Sequence, residues 1–454
     1  MTPSHDNATL FLVHCIDTEG PLCESLEATF DRLENSLGIR LTPSLETLQK
    51  IRSGEIDLGE KAEGARAICA PHNLEYNDSW PRVDSMLDEL LSSEYRQKFP
   101  DCDGHGCIFN WFVMDHVGFD ENPRGRDVGY HNIFDHYRLK MQESRAHGHE
   151  LHFHFHPTST YRQGHICATS YLRSPHLLEG LARRIIDRTW FPSCFRAGFY
   201  AERPDSHWFL EQWFPFDFSN NATSETKIES LQQDIGGGRF GDWRRAPDDW
   251  SHYHPSHDDY QIPGNCKRTV FRALAVGTRM RLLKQSDVDQ AFDRAARGNP
   301  TVLAFSDHDY RDMRRDVEAV YSMVRQSADK FPTVRWIHSG ARDAARKVLG
   351  LPPSPLDFDV TLESRGASQL LRVEARGQVF GPQPFLAVRT MDRRYISDNF
   401  DFQIPGKLWT YTFDHQSIYP GSFDRVGVGA SSPDGSTCVM VLDGKGGLAA
   451  KQQS

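Results

Sequence analysis

Gly148-His149-Glu150-Leu151-His152-Phe153-His154-Phe155-His156-Pro157 sets histidines at every second position, with large apolar residues between them. Successive side chains on a β-strand point to opposite faces. His152, His154 and His156 therefore share one face, and Leu151, Phe153 and Phe155 share the other. Imidazoles crowded on one face at neutral pH suit a borderline-soft cation such as zinc. A single histidine here would read as a satisfied polar residue in a core; three in register point to a metal.

The segments around this strand repeat one pattern. An apolar run over 8–16 ends at Asp17-Thr18-Glu19-Gly20-Pro21, a buried strand stopping at an acidic turn. Residues 43–52 and 81–98 have helical spacing, 106–114 read as a second buried strand, and 134–144 as a helix leading into the histidine strand. Helices are expected at 175–188, 206–213, 286–297, 312–330 and 340–349, and strands at 193–199, 268–274, 301–306 and 334–338. A long irregular region covers 220–265. Strands alternating with helices over this length predict an α/β fold with a mostly parallel sheet, open or closed into a barrel. The proline-rich stretch Leu351-Pro352-Pro353-Ser354-Pro355 reads as a linker. Short alternating runs follow it (357–362, 370–375, 385–389, 408–413 and 438–442), as in a small antiparallel sandwich. The expected division is residues 1–350 and 351–454, the second part shaping a substrate or assembly interface.

A chain of 454 residues is too long for one small core, and 38% hydrophobic with 25% charged residues suits an ordinary globular protein. The net charge of −10 offers no basic excess for phosphates, which excludes a general nucleic-acid binder. The nine cysteines are scattered, with no C-x-x-C, which favours a reducing compartment over a disulfide scaffold. The polar first ten residues lack a signal-peptide pattern, and no apolar run is long enough to span a membrane. A cytoplasmic protein is expected. Nothing in the sequence indicates its oligomeric state.

In parallel α/β folds chemistry gathers at the carboxyl ends of strands. Asp17 and Glu19 end the first strand, His152, His154 and His156 lie at the end of another, Arg196 ends a third, and Asp307-His308-Asp309-Tyr310-Arg311 ends the strand at 301–306. One carboxylate at a strand end is often only a helix cap. Four such groups at one pole of a sheet suit metal-assisted hydrolysis. A carboxylate and two or three imidazoles hold a divalent ion with a position open for water, an unligated carboxylate takes the water's proton, and a histidine across the site protonates the leaving group.

In segment order and motifs the chain resembles the polysaccharide deacetylases with NodB homology, metal-dependent carbohydrate esterases and amidases. The likeness covers roughly residues 8–345. His14-Cys15-Ile16-Asp17-Thr18-Glu19-Gly20 resembles the first motif, Gly148-His149-Glu150 leading to His154 and His156 the second, and Phe195-Arg196-Ala197-Gly198 the third. Asp242-Trp243 stands where the fourth is expected, and His308 resembles the histidine of the fifth. The resemblance implies a distorted (β/α) barrel and removal of an acyl group, acetyl above all, from an acylated sugar or glycan precursor. It casts Asp17 as base, Glu19 with two of the histidines as ligands of a divalent ion (zinc first), Arg196 as the orienter of Asp17, and His308 as the acid. Two departures stand out. Glu19 replaces the usual aspartate. The usual H-x-x-x-H spacing, aligned on Gly148-His149-Glu150, runs from His154 to Thr158, leaving His154 with His156, or His152 with His156, as the pair.

Arg124 and Arg126 on the loop at 122–127 read as recognition of a substrate carboxylate or phosphate, or as a solvated loop. Asp242, Trp243 and Tyr253 belong to an aromatic, hydrogen-bonding stretch that suits a sugar face or a packed lid. Asp115, His116 and His338 are supporting candidates at strand ends. Two rival activities fit the same residues: deformylation or hydrolysis of a non-sugar amide, and a carbohydrate-binding or assembly protein with a vestigial metal site.

Overall fold

The first strand, Thr9–Thr18 (β1), is buried at every position, as expected of a parallel strand covered on both faces. Its alternation has a clear meaning. Phe11, Val13 and Cys15 join one apolar cluster with Phe112, Cys194, Phe218, Phe271, Val302 and Ala304, whereas Leu10 and Leu12 pack outward against the helix Gln285–Ala296. The first cluster is the inside of a barrel. The computed structural model describes residues 8–120, 122, 124–144, 148–157, 170–223, 241–276 and 283–454.

Seven parallel strands close that barrel: β1, Phe109–Val113 (β2), Glu150–Phe155 (β3), Cys194–Ala197 (β4), Phe216–Asn220 (β5), Thr269–Ala275 (β6) and Thr301–His308 (β7), which returns to β1. The α/β architecture is that of a TIM-like barrel with helices outside. An eighth strand, Arg335–His338 (β8), pairs with Thr9–Leu12, the first half of the β1 edge whose second half, His14–Thr18, pairs with β2. The fork between β2 and β8 buries backbone groups that need partners. Asn110 supplies them: its Nδ2 donates to the carbonyls of His14 (3.2 Å) and Ser339 (3.3 Å), and its Oδ1 accepts from the Ala341 N–H (2.6 Å) at the start of the helix Ala341–Val348.

The expected helix over 81–98 is two, Trp80–Leu90 and Ser93–Arg96. Ser92 breaks the run by adopting an extended conformation and accepting from the Tyr95 N–H as an N-cap. Helices Leu26–Leu37 and Ala62–Ile68 were not expected. Of the irregular region at 220–265, residues 224–240 lie outside the described residues.

Beyond the proline-rich stretch the chain is all antiparallel strand: Asp357–Arg365 (β9), Ser368–Arg376 (β10), Phe385–Thr390 (β11), Tyr395–Asp398 (β12), Asp401–Ile404 (β13), Leu408–Phe413 (β14), Phe423–Ser431 (β15), Thr437–Asp443 (β16) and Leu448–Gln453 (β17). One sheet runs β13-β14-β10-β9 and the other β12-β11-β15-β16-β17, with an apolar core drawn from both. The five-stranded sheet turns Phe385, Ala387, Val439 and Val441 to the helix His176–Arg188, which lies between β3 and β4. Close approach there requires glycine: a Cβ on Gly427 would sit 2.5 Å from Ile185 Cγ2, and one on Gly429 2.8 Å from Phe191 Cδ2. Among the described residues no helix is long and apolar enough to cross a membrane. We expect Gly427→Val to lower the unfolding free energy by about 1–3 kcal/mol in a urea titration, the usual penalty of overpacking.

Candidate functional site

Alternation on four strands sends polar side chains into one end of the barrel. Asp17 continues the inward row of Phe11, Val13 and Cys15. Arg196 follows Cys194, His154 follows His152, and Ser306 and His308 follow Val302 and Ala304. Strand register brings them level, since Asp17 pairs with His308 across β1 and β7, and His154 with Arg196 across β3 and β4. The four groups that the sequence places at strand ends thus meet at one mouth.

The Arg196 guanidinium, with no exposure to solvent, donates through Nε to Asp17 Oδ1 and through Nη1 to the Phe218 carbonyl (2.8 Å). Oδ2 of Asp17 is left facing His308 Nε2 at 3.6 Å. Glu19 Oε1 lies 3.5 Å from His156 Nε2, 3.8 Å from His308 Nε2 and 4.0 Å from His154 Nε2, while Oε2 is taken by Arg126 Nη2 at 2.6 Å. Arg126, read in the sequence as a substrate contact or part of a solvated loop, lies half-buried against the carboxylate and over the Tyr310 ring at 5.0 Å. It leaves Glu19 one oxygen to present. Arg124 is half-buried, and its carbonyl accepts from the Cys23 N–H at 2.9 Å.

The tautomer of His154 follows from its neighbours. Nδ1 lies 2.9 Å from the Arg196 carbonyl, an acceptor only, so Nδ1 carries the proton and Nε2 a lone pair. That lone pair meets His156 Nε2 at 2.9 Å. His156 stands just beyond the end of β3, its ring against Phe199 at 4.8 Å and over Gly198, where a Cβ would fall 1.9 Å from His156 Cδ2. Glu19, His154 and His156 offer one ligand atom each, all within 4.8 Å of one another. An acidic oxygen, an imidazole oriented by a backbone carbonyl and a second imidazole make a donor set that fits a zinc-like ion. His152 sits one step further into the barrel, with Nε2 3.1 Å from Glu150 and its ring on Phe112 at 4.8 Å, apart from this group. Thr158 lies outside the described residues.

The turn bearing Glu19 is held by two residues that the sequence placed at strand ends without a defined role. Asp309, next to His308, accepts from the N–H groups of Glu19 (Oδ1, 2.8 Å) and Gly20 (Oδ2, 2.8 Å) and from the Tyr137 hydroxyl (Oδ2, 2.7 Å). His116 Nε2 donates to the Glu19 carbonyl at 2.7 Å from the turn after β2. Gly20 has φ of +69°, and a Cβ there would press on Ile133 at 2.6 Å. A carboxylate following the histidine at a strand end was the only sequence signal for Asp309.

Burial alone would raise the Glu19 carboxyl, but Arg126, His156 and His308 outweigh it and hold it well below its usual range. Burial pushes His154 well below the usual imidazole value and His308 down to about 4, so both are neutral at pH 7. Burial pushes Asp309 the other way, up to about 7.

The aromatic stretch packs on the outer side of β6 and β7. Trp243 is buried and donates from Nε1 to the Tyr200 carbonyl (2.8 Å), Tyr253 is buried with its hydroxyl on the Tyr260 carbonyl (2.8 Å), and Asp242 forms an ion pair with Arg244 (2.9 Å). These contacts belong to a packed apolar layer and not to an open sugar face. His338 Nε2 donates to the Phe99 carbonyl (2.9 Å), away from the site.

A second group able to hold a metal, His207, Glu211 and Cys266, also exists among the described residues. There Arg268 Nη1 already lies 2.8 Å from His207 Nδ1 and 2.7 Å from Glu211 Oε1, filling the place of a cation. Comparison with known proteins finds no family model, curated protein or solved structure that matches the chain.

Three buried histidines outside the mouth set an acid limit. Burial holds His14 at about 3, His149 at about 4 and His207 at about 4, against roughly 6.5 in an unfolded chain. Between those values the unfolded state binds more protons, so stability is full above pH ~6.5 and falls as pH drops toward 4. Urea unfolding at pH 7.5 and pH 5 should give a lower midpoint at pH 5; an unchanged or higher midpoint would contradict neutral burial of these rings.

Proposed function

We propose that the protein is a metal-dependent hydrolase removing an acyl group, acetyl above all, from an acylated sugar or glycan precursor, and that its barrel is of the NodB-homology type. The observation that carries this reading is the meeting of Asp17, Glu19, His154, His156 and His308 at one barrel mouth, with Asp17 beside the Glu19/His154/His156 triad but outside it. The sequence motifs resembling the polysaccharide deacetylases fall on these same side chains.

Glu19 Oε1 and the Nε2 atoms of His154 and His156 would hold the ion. A divalent cation such as zinc supplies acidification of a water and polarisation of the acyl carbonyl. The rest of the work belongs to the chain. Arg196 fixes the Asp17 carboxylate through Oδ1, which leaves Oδ2 as the acceptor of a proton from water. His308, neutral at rest and 3.6 Å from Oδ2, would receive the proton that Asp17 takes from water and hand it on to the departing amine or alkoxide. Water is consumed, acetate and the free sugar amine or hydroxyl are formed, and the gap is short enough for the two groups to restore their protonation states. Arg126 keeps Glu19 from turning both oxygens inward.

Metal analysis joined to an acyl-release screen tests the reading. Asp17→Asn should keep the wild-type zinc content and lose about 10²- to 10⁴-fold in kcat. His154→Ala and His156→Ala should each lower zinc content. Undiminished stoichiometry in both removes the ligand assignment, and formate release in place of acetate reassigns the acyl group. A metal-free wild-type protein that still binds glycan favours the carbohydrate-binding alternative.

Gly198 supplies a subtler check. Gly198→Ala displaces the His156 ring, and zinc affinity by competition with a chromophoric chelator should weaken about tenfold or more. Wild-type affinity in this variant would mean that His156 is not a ligand.

A further inference from the structure

A polar chain runs from the barrel mouth to the C-terminal sheet. Asp115 follows β2 and precedes His116, the donor to the Glu19 carbonyl. Arg184, on the helix His176–Arg188, donates from Nη2 to Asp115 Oδ1, and its Nη1 lies 2.6 Å from His131 Nδ1. His131 Nε2 lies 3.0 Å from Asp187 Oδ2. Two groups of the C-terminal domain complete the chain: the Tyr395 hydroxyl, 2.8 and 2.9 Å from the Asp187 oxygens, and Arg389 Nη1, 3.3 Å from Oδ1. Arg389 is itself clamped by Asp424 through Nε (2.9 Å) and Nη2 (2.7 Å).

The direction of each bond is set by chemistry. A guanidinium can only donate, so His131 Nδ1 must accept from Arg184 and Nε2 must carry the proton given to Asp187. One imidazole thus joins the buried Arg184–Asp115 pair to a carboxylate held in place by another domain. If Asp187 turns away, His131 loses the acceptor that selects this tautomer, and Arg184 loses the lone pair that aims its other edge at Asp115. Space around Asp115 is tight, for a Cβ on Gly180 would lie 3.0 Å from Oδ2.

We infer that the C-terminal β-domain is a working part of the barrel site. Tyr395 and Arg389 act as positioning residues through Asp187, His131 and Arg184, holding the Asp115-His116 turn against which the Glu19 carbonyl is set. The consequence for metal binding rests on the proposed role of Glu19 as a ligand; the mechanical coupling does not. This gives the domain a role other than covering an apolar helix.

Tyr395→Phe in the full chain removes one hydroxyl and little packing. Two readouts are taken: imidazole ¹H–¹⁵N spectra of His131 and His116 in metal-free protein, and zinc affinity by chelator competition. Tyr411→Phe is the control, since it strips a hydroxyl bonded to Asp398 (2.8 Å) elsewhere in the same domain. In Tyr395→Phe the His131 and His116 signals should both shift and the zinc Kd rise about fivefold, a modest coupling, with the control unchanged. Arg389→Gln should act in the same direction. Unmoved His116 signals in Tyr395→Phe, or an equal response in the control, overturn the inference. If the wild type binds no zinc, the ligand role of Glu19 fails while the His116 spectra still decide the coupling.

Discussion

A guanidinium buried among strands, that of Arg196, is the constraint on which the polar end of the barrel depends. It cannot lose its proton, so it must be met by a charge and by carbonyl oxygen. Asp17 provides the first and Phe218 the second. Removing one partner of such a pair costs about 3–5 kcal/mol, because the other charge is left buried alone. The same contact fixes which Asp17 oxygen remains free, and the Arg196 carbonyl fixes the tautomer of His154. One residue therefore orients a carboxylate with its side chain and an imidazole with its backbone.

The turn at Glu19 shows a related economy. Asp309 gathers two backbone N–H groups and a tyrosine hydroxyl, and it sits directly after His308 on β7. β7 thus presents one side chain to the mouth and uses the next to anchor the neighbouring turn. Arg126 approaches Glu19 from a loop and divides its two oxygens, one to the guanidinium and one to the imidazoles. The cluster around Arg268 makes an instructive contrast. It also combines histidine, cysteine and carboxylates, yet Glu202, Glu211 and Asp217 all bind the guanidinium, so its charge is balanced from within.

Much of this was legible along the chain. Period-two alternation in 148–157 told which side chains share a face, the apolar run over 8–16 told of a buried strand, and strand–helix repetition told that the sheet is mostly parallel. The C-terminal antiparallel region was also legible, but β12, β13, β15 and β17 were not among the expected runs. β15 carries Gly427 and Gly429, whose missing side chains blur the pattern and whose purpose is to admit a helix from the other domain. β13 is exposed at every position, so it has no buried face to reveal. Trp243 and Tyr253 read equally as a sugar face or a packed lid, because composition cannot distinguish an aromatic face turned to a ligand from one turned to a core.

The sequence by itself determined the alternation of strands and helices in a mostly parallel sheet, the placing of acids, imidazoles and arginine at strand ends, and where along the chain the antiparallel strands begin. These follow from local geometry, since a strand's two faces are set by residue parity alone. Only the tertiary structure decided that His154 and His156, and not His152, stand with Glu19. It alone showed that Arg126 belongs to Glu19, that Asp309 and His116 hold its turn, and that Tyr395 and Arg389 reach the same region through His131. Such assignments depend on strand register, on loop paths and on how two domains pack. Those are set by contacts between residues hundreds of positions apart, and no short stretch of sequence carries them.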